Sequence, residues 1–384
     1  MARLPLLLLL PREAVRSVAE SMREARISPS AISHNVGVLH RAAGSAGAMI
    51  VVKADGYGHG IVTAAQAGLD GGASWCGTAD ISEALTLRDA GIHAPILAWL
   101  VGPSSRVDAA IAAGIDLGVS GLDQLHQVVS AASVGNPATI HLKVDSGMGR
   151  GGATAAEWEQ LFAAVAAAIR TGHLRVRGLF THFAQTSAES DTAQAAVFDN
   201  AIDAIARAGV EPEFFHSSSS TPSSRTPQFA HSLVRLGISA YGVAIVDEHR
   251  ALGLRPAMRL AGQVIQVKSL PAGHGVGYDH TYTTANTTTM AVVPVGYADG
   301  LPRLASSKGP VTVNGQRFSL AGRVSMDQVS IDVGDATVSR GDWAVFFGDP
   351  EKGEPSVSEW AELASTIPYE ILTGIGPRVR RVVE

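Results

Sequence analysis

Lys53 stands where an apolar run gives way to a glycine-rich turn, in residues 51–60, VVKADGYGHG. Two β-branched residues close the run, the lysine follows, and Tyr57 and His59 lie inside the turn. An ammonium at the end of a buried strand is poorly solvated. Burial lowers its pKa toward the neutral amine that condenses with carbonyl compounds as a Schiff base. The same placement also suits a lysine whose stem snorkels from the strand end to water, so position alone leaves both readings open. Further polar residues follow later apolar runs in the same way: Lys143, Asp145 and Arg150, then His182, then His216 with the serines after it, then Arg235. Each of them singly also fits a solvated loop.

The elements that would position these residues are short apolar runs alternating with alanine-rich helical stretches. Strands are expected at residues 48–52, 75–78, 95–100, 116–119, 140–144, 176–181, 213–216 and 233–236. Helices are expected at 61–69, 81–90, 122–133, 155–171 and 192–208. Eight strands separated by helices predict an α/β fold, a (β/α)8 TIM-type barrel over residues 25–253. In that fold the chemistry sits at the C-terminal ends of the strands, which is where the polar residues named above fall. After residue 254 the rhythm changes. Apolar runs at 257–269, 290–295, 310–313, 328–333 and 343–347, punctuated by turn signals such as Asn314-Gly315, predict a mostly β domain over 254–384, closed by a short helix near 357–365.

A chain of 384 residues can bury such a core. With 46% hydrophobic and 17% charged residues and no apolar run of spanning length, membrane and disordered classes are disfavoured. A formal charge of -5 gives no basic footprint for nucleic acid or anionic lipid, which leaves a small-molecule partner. The single cysteine, Cys76, excludes an internal disulfide and a cysteine-rich metal cage. It fits a reducing, cytoplasmic compartment, and no metal is expected. Residues 1–24 contain a leucine run after a basic residue, but the run is short and cut by Pro11. Arg12, Glu13 and Arg16 follow where a signal peptide would have small residues. They are read as a disordered extension or a start placed too far upstream.

Seven motifs occur in this order: VVKADGYGHG, HLKVDSGMGR, LFTHFAQT, VRLGISAYG, VGYADG, GRVSMDQ and PYEILTGIG. With them the chain resembles alanine racemase, the fold-type III family of pyridoxal-phosphate enzymes, from Ala25 to Arg380. No single motif is specific; the combination is. The resemblance implies a homodimer with active sites shared between subunits. It also implies pyridoxal 5'-phosphate as cofactor and the interconversion of L- and D-alanine, which supplies D-alanine for peptidoglycan.

Such a reaction has stringent needs. The α-proton of an amino acid is removable at neutral pH only if the carbanion is delocalised, and pyridoxal phosphate on a lysine supplies that sink. Inversion then requires one acid-base group on each face of the planar intermediate. The resemblance assigns one face to Lys53, which also holds the cofactor, and the other to Tyr297 of the partner subunit. A phenol of ordinary pKa is a poor base at pH 7, and the implied remedy is His182 against Tyr297, with Arg235 against His182. Arg235 is also implied to face the pyridine nitrogen. Its permanent charge and lack of any acceptor would keep that nitrogen unprotonated there, weakening the sink and favouring reprotonation over transamination.

The implied cofactor contacts are Tyr57, Arg150, His182, Ser219, Ser220, Arg235, Gly237, Ile238 and Tyr369. Glycine at 237 makes independent sense, because a residue without Cβ lets backbone approach an anion closely. Lys143 matches a lysine that is carbamylated in many relatives and would then orient Arg150. Arg150, Met326 and Asp327 are the implied substrate contacts, the last two from the partner. Taken alone, Tyr297 is equally a buried aromatic, Arg235 a surface arginine and residues 217–220 a hydrophilic loop.

Two positions depart from the family pattern. Ser219 replaces a frequent asparagine and Ser325 a frequent cysteine, which puts substrate breadth in question and keeps a serine or broader amino-acid racemase as the alternative. A decarboxylase on the same barrel would offer a carboxylate where Arg235 stands. A non-catalytic pyridoxal carrier would need neither Tyr297 nor a β domain.

Overall fold

The computed structural model describes residues 21–44, 47–217 and 231–384. Eight parallel strands lie in one sheet: β2 (Gly47–Val51), β3 (Trp75–Asp80), β4 (Ile96–Leu100), β5 (Asp116–Val119), β6 (Ala138–Lys143), β7 (Leu174–Phe180), β8 (Phe214–His216) and β9 (Leu233–Leu236). Neighbours pair in chain order, and β9 returns to pair with β2. Ser232 spans the remaining gap. Its amide donates to the Phe215 carbonyl at 3.2 Å and its Oγ accepts from the Phe215 amide at 2.7 Å. The expected TIM-type barrel is therefore present.

Helices between the strands cover the outside of the sheet, so both faces are buried and the strands read as near-continuous apolar runs. Local signals fix the helix starts. Ser28 caps Pro29–Ala42, and Asp80 accepts from the amides of Ser82 and Glu83 to cap Ile81–Asp89. Met49, Trp75, Leu97 and Leu233, one from each of four adjacent strands, form a cluster separate from the main core, as the filled interior of a barrel should.

The remaining strands build the second domain, with β1 (Arg23–Ile27), β10 (Met258–Gln263), β11 (Gln266–Leu270), β12 (Gly275–Val276), β13 (Tyr282–Thr283), β14 (Thr288–Val293), β15 (Pro310–Val313), β16 (Gln316–Ser319), β17 (Val329–Gly334), β18 (Trp343–Phe347) and β19 (Arg380–Val383). A six-stranded sheet runs β16-β15-β18-β10-β1-β19, beside sheets β11-β14-β17 and β12-β13. β1 precedes the barrel in the chain yet lies between β10 and β19, so the start of the described chain and its end are joined in one sheet. Asn314 and Gly315 both take positive φ and make the two-residue turn between β15 and β16. The closing helix spans Val357–Leu363, with Ser356 and Glu359 forming a capping box.

Candidate active site

Lys53 begins a five-residue turn directly after β2 in which Ala54, Asp55, Gly56 and Tyr57 all have left-handed φ. A left-handed conformation costs an L-residue about 1–2 kcal/mol, so the turn persists only because its surroundings impose it. The Ala54 amide donates to Glu83 Oε1 at 2.6 Å, and the Ile61 amide donates to Asp55 Oδ1 at 2.8 Å. Glu83 Oε2 also accepts from the Ala79 amide at 2.8 Å, tying the turn to the end of β3. Gly58 follows at φ 81, so near the Leu372 carbonyl that a Cβ would lie 2.4 Å from its oxygen. The turn thus aims Lys53 inward and sets Tyr57 against Tyr241 and Tyr369, with ring centroids 4.8 and 6.2 Å away.

Lys53 opens into a cavity of about 160 Å³ at the C-terminal ends of the strands. Tyr57, Lys143, Arg150, His182, Arg235, Gly237, Ile238 and Tyr369 line it with Lys53. The structure therefore brings together Lys53 and all of the implied cofactor contacts that it describes, with Lys143; Asp145 does not line the cavity, and Ser219 and Ser220 lie outside the described residues. Trp99, Phe180, Gln185, Val51 and Ile245 complete the lining and were not anticipated. Trp99, in β4, could have been found from its place near a strand end. Lys53 Nζ sits 5.8 Å from its ring centroid.

The electrostatics follow from four cations and, among the described lining residues, no carboxylate. Burial lowers the pKa of Lys53, and Arg150 and Arg235 depress it further. Lys143 is lowered by burial and then by the same two arginines. Arg235 is buried, which brings it down to about 10. It donates from Nη2 to His182 Nδ1 at 3.0 Å, and to the carbonyls of Thr181 and Ser217 at 2.8 and 3.1 Å. His182 falls to about 3, through burial first and then the facing Arg235, Arg150, Lys143 and Lys53.

His216 is placed otherwise than the sequence suggests. It ends β8 but is fully buried beneath Arg235 and does not line the cavity.

The cradle fits an anionic ring bearing a phosphate. A Cβ on Gly237 would come within 2.9 Å of the Tyr57 hydroxyl, so the missing side chain lets the backbone at 237–238 and that hydroxyl approach one group. Burial raises the pKa of Tyr57 and of Tyr369, which keeps both as neutral donors.

Tyr297, Met326 and Asp327 do not line the cavity of their own chain. Their turns are zipped together: the Tyr297 amide donates to the Ser325 carbonyl and the Ala298 amide to the Met326 carbonyl, each at 3.0 Å. The buried Asp299 accepts from the Gly296 amide at 2.9 Å and pairs with Arg23 at 2.7 Å and Arg378 at 3.0 Å. Arg378 also holds Asp327 at 2.6 Å. Tyr297 and Met326 are 43% and 53% exposed, presented outward.

Comparison with known proteins agrees with this geometry. The alanine racemase N-terminal domain model matches residues 27–245, and the C-terminal domain model residues 257–383. The alanine racemases of Salinispora arenicola (strain CNS-205) and Thermobifida fusca (strain YX) are each 46% identical to this chain, over 357 and 366 residues. These alignments cover 92% and 94% of this chain and 95% and 98% of theirs. The crystal structure of alanine racemase from D-cycloserine-producing Streptomyces lavendulae superposes with a TM-score of 0.92 at 42% identity, covering 95% of this chain and 97% of its own. No helix among the described residues is long and apolar enough to cross a membrane. Both halves of the chain thus belong to one family, the alanine racemases, pyridoxal-phosphate-dependent isomerases that interconvert L- and D-alanine.

Proposed function

We propose that Lys53 and Tyr297 of the partner subunit are the two acid-base groups of this racemase, facing opposite sides of the same carbon. The observation that carries this reading is the cavity itself, where a lysine of lowered pKa stands among Lys143, Arg150 and Arg235 with no acidic lining residue among those described. Pyridoxal phosphate, when bound, supplies the ring that draws negative charge from the α-carbon.

The chain's own groups do the rest. Lys53 holds the cofactor, and its amine takes up and returns a proton on one face. Tyr57, Gly237, Ile238 and Tyr369, with Ser219 and Ser220, hold the phosphate. Arg235 has no acceptor, so it would leave the ring nitrogen of the cofactor unprotonated. His182 accepts from Arg235 at Nδ1, which leaves its proton on Nε2, a donor for the Tyr297 oxygen of the partner subunit. Arg150 orients the substrate carboxylate, and carbamylation of Lys143 would give it an anionic partner. The partner's Met326 and Asp327 close the substrate side.

This reading requires a homodimer. Its support is that Tyr297, Met326, Leu304 and Ile367 of the second domain are all exposed, apolar groups that a partner would cover. We further infer a catalytic barrel ending near residue 253, a β-rich domain beyond it, and a cytoplasmic location, which suits the one free and buried cysteine.

Borohydride reduction of the holoenzyme followed by peptide mass mapping tests the core of the reading. The pyridoxyl group is expected on Lys53, and its appearance on any other lysine would overturn the assignment.

A further inference from the structure

Met49, Trp75, Leu97 and Leu233 make one part of the barrel interior apolar, but a line of polar side chains from β9, β8, β6 and β5 crosses the rest. Arg235 Nη1 donates to His216 Nδ1 at 2.8 Å. His216 Nε2 meets His141 Nδ1 at 2.9 Å, and His141 Nε2 meets Asp116 Oδ2 at 3.2 Å. Arg177 Nη1 closes the line on Asp116 at 3.0–3.1 Å. Asp116 opens β5, so the line runs from the floor of the barrel to the cofactor end.

Barrel interiors are ordinarily filled by branched aliphatic residues, and a buried polar chain is costly unless every member is satisfied. The backbone is shaped to admit this one. A bulge in β7 leaves Arg177 as the extra residue, with Val176 facing Ile140 and Gly178 facing His141; bulges of this kind re-aim a side chain. A Cβ on Gly178 would fall 2.1 Å from His141 Nδ1, so glycine there makes the slot for the imidazole. Phe180 stacks flat on His216 at 4.8 Å, and Trp75 meets His141 edge-on at 5.3 Å.

The line has one direction. A guanidinium only donates, so His216 Nδ1 must accept and its proton lies on Nε2. That proton is given to His141 Nδ1, which puts the His141 proton on Nε2, facing a carboxylate that only accepts. Among the described residues no carboxylate pairs with Arg235 itself.

We propose that Asp116 is a positioning residue for catalysis, acting through His141 and His216 to hold Arg235 in place in the lining of the cavity. Asp116 fixes both imidazoles as neutral Nε2–H tautomers, so that His216 always offers Arg235 a lone pair and never a competing proton. Burial lowers the pKa of both rings, in keeping with neutral imidazoles. The inference rests on Arg235 being the cofactor-facing cation described above.

Long-range proton–nitrogen NMR of holoenzyme labelled with 15N-histidine reads the tautomers directly. Two non-titrating imidazoles protonated at Nε2 are expected; protonation of His216 at Nδ1 would overturn the proposal. Asp116→Asn removes the obligatory acceptor. It should produce exchange or inversion of the His141 and His216 tautomers and lower kcat about 10- to 100-fold with little change in KM for alanine, the scale on which outer partners act on ligating histidines. If that variant does not fold, His141→Gln, which cuts the line at its middle, is expected to give the same split. A folded variant with wild-type kcat sinks the proposal. Arg235→Lys separates the two levels: if it keeps full kcat, the role given to Arg235 fails; if it is impaired while Asp116→Asn is normal, only the role of Asp116 fails.

Discussion

Arg235 reaches two imidazoles with one guanidinium, donating to His182 Nδ1 at 3.0 Å at the mouth of the cavity and to His216 Nδ1 at 2.8 Å below it. Both rings therefore present a lone pair to a cation and carry their proton on the far side. For His182 the far side faces the cavity, where a phenolate would be met by an N–H donor. The pairing also explains why His182 stays neutral. A proton on Nδ1 would displace the arginine, and four cations face the ring.

Acid lability follows from the same burial. His182 and His59 have folded pKa values of about 3 and about 4, against 6.5 for an ordinary histidine, and His141 and His216 are lowered as well. Between those folded values and 6.5 the unfolded chain binds more protons than the folded one, so stability rises with pH across that window and is lost as pH falls through it. Each such histidine contributes a slope of about 1.4 kcal/mol per pH unit. Calorimetric melting is expected to show Tm nearly flat from pH 7 to 8 and falling steeply below about pH 6. A Tm unchanged down to pH 4 would mean that these rings are charged or hydrated in the folded state.

Glu83 is expected to matter beyond its modest contribution to stability. Its two carboxylate oxygens hold the amides of Ala54 and Ala79, and the first of these begins the left-handed turn that aims Lys53. Glu83→Ala should cost about 1–2 kcal/mol of stability in urea titration while markedly weakening cofactor retention on dialysis. Glu83→Gln, which keeps one acceptor, should fall between. Undiminished retention in Glu83→Ala would show that the turn is held by its other contacts.

Gly237 offers a test of the phosphate end of the cradle. The Cβ of Gly237→Ala would meet the Tyr57 hydroxyl at 2.9 Å, and Tyr57 is pinned between two other tyrosines. The phosphate end of the cradle should narrow. Fluorescence titration of apoenzyme with pyridoxal phosphate is expected to give a Kd raised about 10-fold or more, equivalent to about 1.4 kcal/mol or more. Wild-type affinity would place the phosphate elsewhere.

The barrel was legible because each of its strands is buried on both faces. An uninterrupted apolar run such as ILAWL, or GAMIV before Lys53, has no other reading between two helices. Strands β5, β9, β15 and β18 match their expected limits at both ends. The segments that escaped were those whose order comes from distant partners. REARI and RRVV are too charged to suggest strands, yet they pair with each other, and REARI pairs on its other side with β10; QRFS is a polar strand at a sheet edge. At the site, strand-end placement located Lys53, His182 and Arg235. It could not show that His216 is buried, because the end of a strand does not reveal which way its last side chain points. Nor could it reveal the line to Asp116, which depends on a bulge and on the space beside Gly178.

The division of the active site between subunits can be tested with two inactive proteins. Lys53→Ala should lack covalently held cofactor. Tyr297→Phe should keep the cofactor absorbance while racemisation falls about 100- to 10,000-fold, the range one acid-base group supplies. If Tyr297 of one subunit serves Lys53 of the other, a mixed dimer of these variants contains one site with both groups intact and one with neither. Random reassociation after co-refolding makes about half of the dimers mixed, so an equal mixture should recover about one quarter of the wild-type rate. Were Tyr297 to act on the lysine of its own chain, every site in the mixture would lack one group, and activity would stay at the level of the two variants measured separately. Size-exclusion chromatography of the mixture guards against a trivial failure, since recovery counts only where dimers have re-formed.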